Sequence, residues 1–164
     1  MTVPFRVEVI RSARRKRSVG ARLESGVVKV TVPSWMSRDE EDAAVRDMVR
    51  RFERKVASET VDLMARAHAL ASAHLLPLPN SIGWSDKLSA VWGLCTPHTG
   101  DIRISTRLVG FPNWVLDYVI VHELAHLVIA DHGPDFWHVV NRYPRTERAI
   151  GYLIAKSGDE DSSC

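Results

Sequence analysis

Residues 114–130 read Trp114-Val-Leu-Asp-Tyr-Val-Ile-Val-His122-Glu123-Leu-Ala-His126-Leu-Val-Ile-Ala130. The run holds neither glycine nor proline. Val119, Ile120, Val121, Leu124, Leu127, Val128 and Ile129 make it apolar on every side, which predicts a helix buried in the core. Inside it lies the pentad His122-Glu123-Leu124-Ala125-His126, an HExxH pattern. Residues four apart on a helix differ by about 40° in azimuth and rise by about 6 Å. Both imidazoles therefore lean to one side, where they can share one metal ion. Glu123 lies about 100° further round, where a general base for a metal-bound water belongs. Burying two histidines and a glutamate without partners is costly, and a metal satisfies all three.

Catalytic zinc usually takes three protein ligands and keeps one position open. His132 follows in Ala130-Asp-His-Gly-Pro134, where Gly133 and Pro134 end a helix and let the chain turn back. The spacing HExxHxxxxxH matches the metzincin pattern, with Ile129 at the place of its turn glycine. That puts the expected turn later, at residues 131–133. Glu147, at the longer spacing of thermolysin-like enzymes, and His138 compete for the third position.

The segment Tyr118 to His126, followed by Asp131-His-Gly-Pro-Asp-Phe-Trp137, resembles the YgjP-type predicted metal-dependent hydrolases, relatives of the SprT-like and WLM zinc peptidases. Trp92-Gly-Leu-Cys95 and Ile102-Arg-Ile-Ser105 are similar to that family's hairpin and following strand. Arg11-Ser-Ala-Arg-Arg-Lys16 and Val28-Lys-Val-Thr-Val-Pro33 are similar to its opening strands. The resemblance reaches to about Leu153 and implies an α+β, zincin-like single domain over 1–157. It also implies zinc held by His122, His126 and His132, with Glu123 as base, and one of the two central strands bordering the cleft.

The rest of the chain fits such a domain. Phe5–Ile10, Val19–Leu23 and Val27–Val32 alternate as strands of a small N-terminal sheet, and Ser25-Gly26 makes a tight turn. Ser37-Arg-Asp-Glu40 is a capping box. It opens a long helix with the stripe Val45, Met48, Val49, Phe52 and Val56, extended by Val61, Met64, Ala67 and Ala71, with a break near Ser58. Leu76-Pro-Leu-Pro-Asn80 is a connector rather than a domain linker. Val91–Cys95 and Ile102–Ser105 make a β-hairpin before the HExxH helix. Pro134 starts a further helix, Pro144 precedes a short final one, and residues 158–164 form a polar tail.

The 164 residues are 45% hydrophobic, enough for a real core. The opening Met-Thr-Val-Pro-Phe-Arg lacks the apolar region of a signal peptide, no stretch predicts a membrane span, and two cysteines make no disulfide framework. Cytoplasmic residence follows. Net charge is +2 overall, but residues 1–60 hold 14 Lys/Arg against 9 Asp/Glu. Arg14, Arg15, Lys16 and Arg17, beside Arg11 and Arg22, are candidate anion contacts to nucleic acid or a nucleotide, or a solvated strand end. No aromatic residue interleaves with them, so the sequence does not indicate a stacking platform.

These features predict a zinc-dependent hydrolase: a metallopeptidase acting on a peptide or protein substrate, or else a zinc-dependent hydrolase of a nucleotide or other phosphorylated substrate, or a nucleic-acid-associated protease. Arg103, His138 and Tyr143 are candidates for lining the cleft or stabilising an oxyanion, and Asp117 for supporting a ligand.

Overall fold

Local turn chemistry organises the N-terminal region. The computed structural model of the chain describes residues 5–157 and divides into two compact units, residues 1–56 and 57–164. The predicted polar tail lies outside the described residues. In the first unit, β1 (Arg6–Ser12), β2 (Gly20–Glu24) and β3 (Val27–Pro33) form one sheet in the order β1-β3-β2. Ser25 and Gly26 have φ of 50° and 79°, the two positive values a tight hairpin turn requires. Val28, Val30 and Val32 are buried, and Val45, Met48 and Phe52 of α1 (Arg38–Ser58) pack in the same cluster. The capping box is closed in both directions: Glu40 N–H donates to Ser37 Oγ at 3.3 Å, and Ser37 N–H to Glu40 Oε2 at 3.0 Å.

β1 and β3 run parallel, so both strands end on the same side of the sheet. The connection from β1 to β2 must cross that end of β3. Ser34 N–H donates to Ser12 O at 3.1 Å. The Trp35 indole N–H donates to Lys16 O at 3.1 Å. An aromatic ring therefore stands beside the basic run after all, brought there by strand pairing and not by sequence proximity.

In the second unit, α2 (Leu63–His74) is capped by Asp62, whose carboxylate accepts from Ala65 N–H at 2.9 Å. The break between α1 and α2 falls at Ser58, as expected. β4 (Ser81–Ser85), β5 (Gly93–Thr96) and β6 (Asp101–Ser105) form a second sheet in the order β4-β6-β5. β4 is parallel to β6 and β5 antiparallel to it. The sequence did not announce β4, since Ser-Ile-Gly-Trp-Ser carries a single β-branched residue and pairs only with a strand 20 positions away.

α3 (Asn113–His126) contacts α2, β5, β6, α4 (Pro134–Val140) and α5 (Thr146–Ser157). Its Val115, Leu116, Val119, Ile120, Val121 and Leu124 are all buried. The helix is shorter than its apolar run. It ends at His126, four residues before Ala130, and Val128 is 64% exposed. Val128 and Ile129 N–H both donate to Ala125 O, and the chain bends at Asp131 and Gly133 before α4 begins. Ile129 has no positive φ, so the helix end needs no glycine there. Leaving the helix aims the Ile129 carbonyl at the His126 ring, which a carbonyl kept along the helix axis could not reach. Among the described residues no helix is long and apolar enough to cross a membrane.

Candidate metal centre

The end of α3 and the segment after it bring three imidazoles together. The Nε2 atoms of His122 and His126 are 3.2 Å apart, those of His126 and His132 3.1 Å, and those of His132 and His122 3.1 Å. The His126 Nδ1 lies 3.0 Å from Ile129 O. A carbonyl only accepts, so Nδ1 carries the proton and Nε2 presents a bare lone pair to the centre of the triangle. Three nitrogens converging in this way cannot satisfy one another by hydrogen bonding, whereas a cation satisfies all three. Four-coordinate zinc with Zn–N of about 2.0–2.1 Å has N···N edges of about 3.3–3.4 Å, so the triangle fits to within a few tenths of an ångström. The basicity of the rings also suits ligation. Burial, then the neighbouring His126 and His132, lowers His122 from 6.5 to about 3. Burial also lowers His126. Both stay neutral, the form that binds a metal.

Glu123 is buried, 6% exposed, and burial pushes its carboxyl up to about 8. It lies against the backbone of β5. A Cβ on Gly93 would stand 2.7 Å from Glu123 Cγ and 2.8 Å from Cδ, and nearer still to Oε1. Only glycine lets the strand approach the carboxylate this closely. Cys95 follows two residues later in the same strand. Burial, then the Glu123 charge, pushes its thiol up to about 11, and it does not join the group of three histidines.

The family model described as YgjP-like, metallopeptidase domain, matches residues 14–150. The chain belongs to this family. Comparisons with curated proteins and with solved structures returned no match. Membership makes the protein a metal-dependent hydrolase of the metallopeptidase kind, and the triangle of histidines supplies the side chains that could hold its metal.

Around this YgjP-like centre the structure adds residues for which the sequence suggested no role. Phe136 on α4 is fully buried. Its ring stacks on His126 at 4.5 Å and meets the edges of His122 and His132 at 4.8 and 4.7 Å. Trp137 approaches His122 and His132 at 6.3 and 6.2 Å. The Tyr118 hydroxyl is 3.5 Å from His122 Nδ1. These rings pack against the imidazoles and limit their rotation. The signal available was Phe136-Trp137 directly after a helix-starting proline, but apolar residues there are equally well explained as core.

His138 is exposed on α4 and Glu147 exposed on α5, and neither joins the group of His132, His122 and His126. Tyr143 is 7% exposed, and its hydroxyl donates to Trp114 O at 2.9 Å, which ties the phenol to the start of α3. Arg103 pairs across the sheet with the exposed Leu94. It therefore stands on the face opposite that of Gly93 and the buried Ile102 and Ile104. Asp117 is held by the Arg66 guanidinium of α2 rather than by a histidine. Arg14, Arg15, Lys16 and Arg17 belong to the N-terminal unit.

Proposed function

We propose that the protein is a zinc-dependent metallopeptidase, with His122, His126 and His132 as ligands and Glu123 as general base. The observation that carries this reading is the triangle of Nε2 lone pairs on the same helix end as a buried carboxyl. Three imidazoles without thiolate suit zinc among the available metals. When bound, zinc lowers the pKa of water and polarises a substrate carbonyl. A cation beside Glu123 opposes the effect of burial and favours the carboxylate, the form a base needs. Glu123 takes the proton of the attacking water and returns it to the leaving amine. Gly93 fixes where that carboxylate can lie, and Phe136 and Trp137 pack against the ligands.

The edge position of β5 supports a peptide as substrate. In the order β4-β6-β5, one side of β5 has no strand partner among the described residues, and an extended peptide can add there as a further strand beside Glu123. The test is zinc-loaded protein on a fluorescently labelled unfolded protein, with Glu123→Gln as blank. Peptide-bond cleavage by the parent, reduced by at least about 100-fold in Glu123→Gln with zinc retained, is expected. Absence of cleavage, together with Glu123-dependent release of phosphate from nucleotides, would replace the peptide by a phosphorylated substrate.

A further inference from the structure

The run 11–19, Arg-Ser-Ala-Arg-Arg-Lys-Arg-Ser-Val, holds five cations and no acid. Arg11 is taken up by Glu41 at 2.7 Å and by Ser34 O at 3.3 Å. Arg14, Lys16 and Arg17 are exposed, and among the described residues no acidic side chain lies within ion-pair distance of them. The half-exposed Arg15 guanidinium lies over Gly20, where a Cβ would stand 2.7 Å from Nη1. Beside them Trp35 is 63% exposed, with its ring tethered through the N–H to Lys16 O. A large indole left in water yet held by a hydrogen bond to the basic loop is a flat face at a fixed place among cations.

We propose that Trp35 and the β1–β2 connection form a binding surface for single-stranded nucleic acid, with Trp35 stacking on an unpaired base while Arg14, Arg15, Lys16 and Arg17 meet the phosphates. Each half of the arrangement selects for this partner. The cations require an anionic chain with closely spaced charges. The ring requires a π-face, which an unpaired base offers and a duplex hides in its stack. An acidic peptide would use the cations and leave the indole idle. A membrane would need several apolar side chains at one level, whereas residues 13–18 offer none larger than Ala13 and Met36 is packed in the sheet's core.

The experiment is fluorescence anisotropy of a labelled oligothymidylate of about 20 nucleotides, and of a duplex of equal length, titrated with the full chain over a range of salt. It requires no turnover, so it stands apart from the zinc chemistry. The single strand should bind more tightly than the duplex, with log K falling linearly in log salt. Arg14→Glu with Arg17→Glu should flatten that slope by about 0.7 for each phosphate that is no longer neutralised. Trp35→Ala should weaken single-strand binding by about 5- to 100-fold and leave the slope unchanged, while Trp35→Phe keeps most of the affinity. Unfolding curves of the variants that match the parent confirm that the fold is intact. The proposal is overturned by absence of binding at low salt, by parental affinity of Trp35→Ala, by equal weakening on the duplex, or by tighter association with anionic vesicles than with the single strand.

Discussion

Gly93→Ala places one methyl group against the base. The three atoms nearest to the new Cβ all belong to Glu123, with Cγ at 2.7 Å and Cδ at 2.8 Å. Carbon–carbon contacts prefer about 3.5 Å or more, so the carboxylate or the strand must move by about 0.7–0.8 Å. Glu123 is only 6% exposed, which leaves its side chain little room to swing aside. Gly93 has no positive φ, so alanine brings no backbone strain and the effect is steric alone. Overpacking of this kind costs about 1–3 kcal/mol of stability, and displacing a catalytic group by about 1 Å costs about 100-fold in rate. The variant should therefore bind zinc stoichiometrically, unfold at modestly lower urea, and cleave a labelled unfolded protein about 100-fold more slowly. The decisive measurement adds Gly93→Ala to Glu123→Gln: with the base already gone, the methyl should cost little further rate. A Gly93→Ala protein with parental kcat, or one whose rate deficit is undiminished in the Glu123→Gln background, would refute the view that Gly93 acts by positioning Glu123.

Three further outcomes are expected. His132→Ala should lose zinc in a dialysis that leaves the parent and Glu147→Ala loaded; metal analysis showing the reverse would move the third ligand to α5. Phe136→Ala, which empties a fully buried position touching all three imidazoles, should cost about 3–5 kcal/mol by urea denaturation, and a cost below about 1 kcal/mol would argue against that packing. In the metal-free protein, two opposed titrations limit stability. His122 falls from 6.5 to about 3 on folding, so its contribution is present above 6.5 and lost as pH falls towards 3. Glu123 rises from 4.5 to about 8, so its contribution is present below 4.5 and lost as pH rises through 8. Urea midpoints should thus decline between pH 6.5 and 8 in the parent and not in Glu123→Gln; identical alkaline limbs in the two proteins would count against the burial of that carboxyl.

What the sequence determined by itself is what depends on neighbours along the chain. The 3.6-residue period places His122 and His126 on one side of α3 and Glu123 beside them. Ser25-Gly26 accepts two positive φ values, Ser37 and Glu40 close a capping box, and the six-residue spacing makes His132 a candidate with Glu147 and His138 beside it. All of these act over a turn or two of backbone, so residue type and spacing suffice. The tertiary structure decided what depends on segments that meet from far apart. α3 ends at His126, short of an apolar pattern that runs on to Ala130, and its end turns the Ile129 carbonyl to the His126 ring. The close approach of Gly93 to Glu123 depends on how β5 pairs with β6 and packs on α3. The tether of Tyr143 to Trp114 and the sheet face on which Arg103 stands follow from helix docking and sheet register, which residue type alone does not carry. Trp35 reaches Lys16 because β1 and β3 are parallel and end together; strand pairing across 21 positions carries no mark in local composition, since the hydrogen bonds that make it are those of the backbone and are the same for every residue but proline.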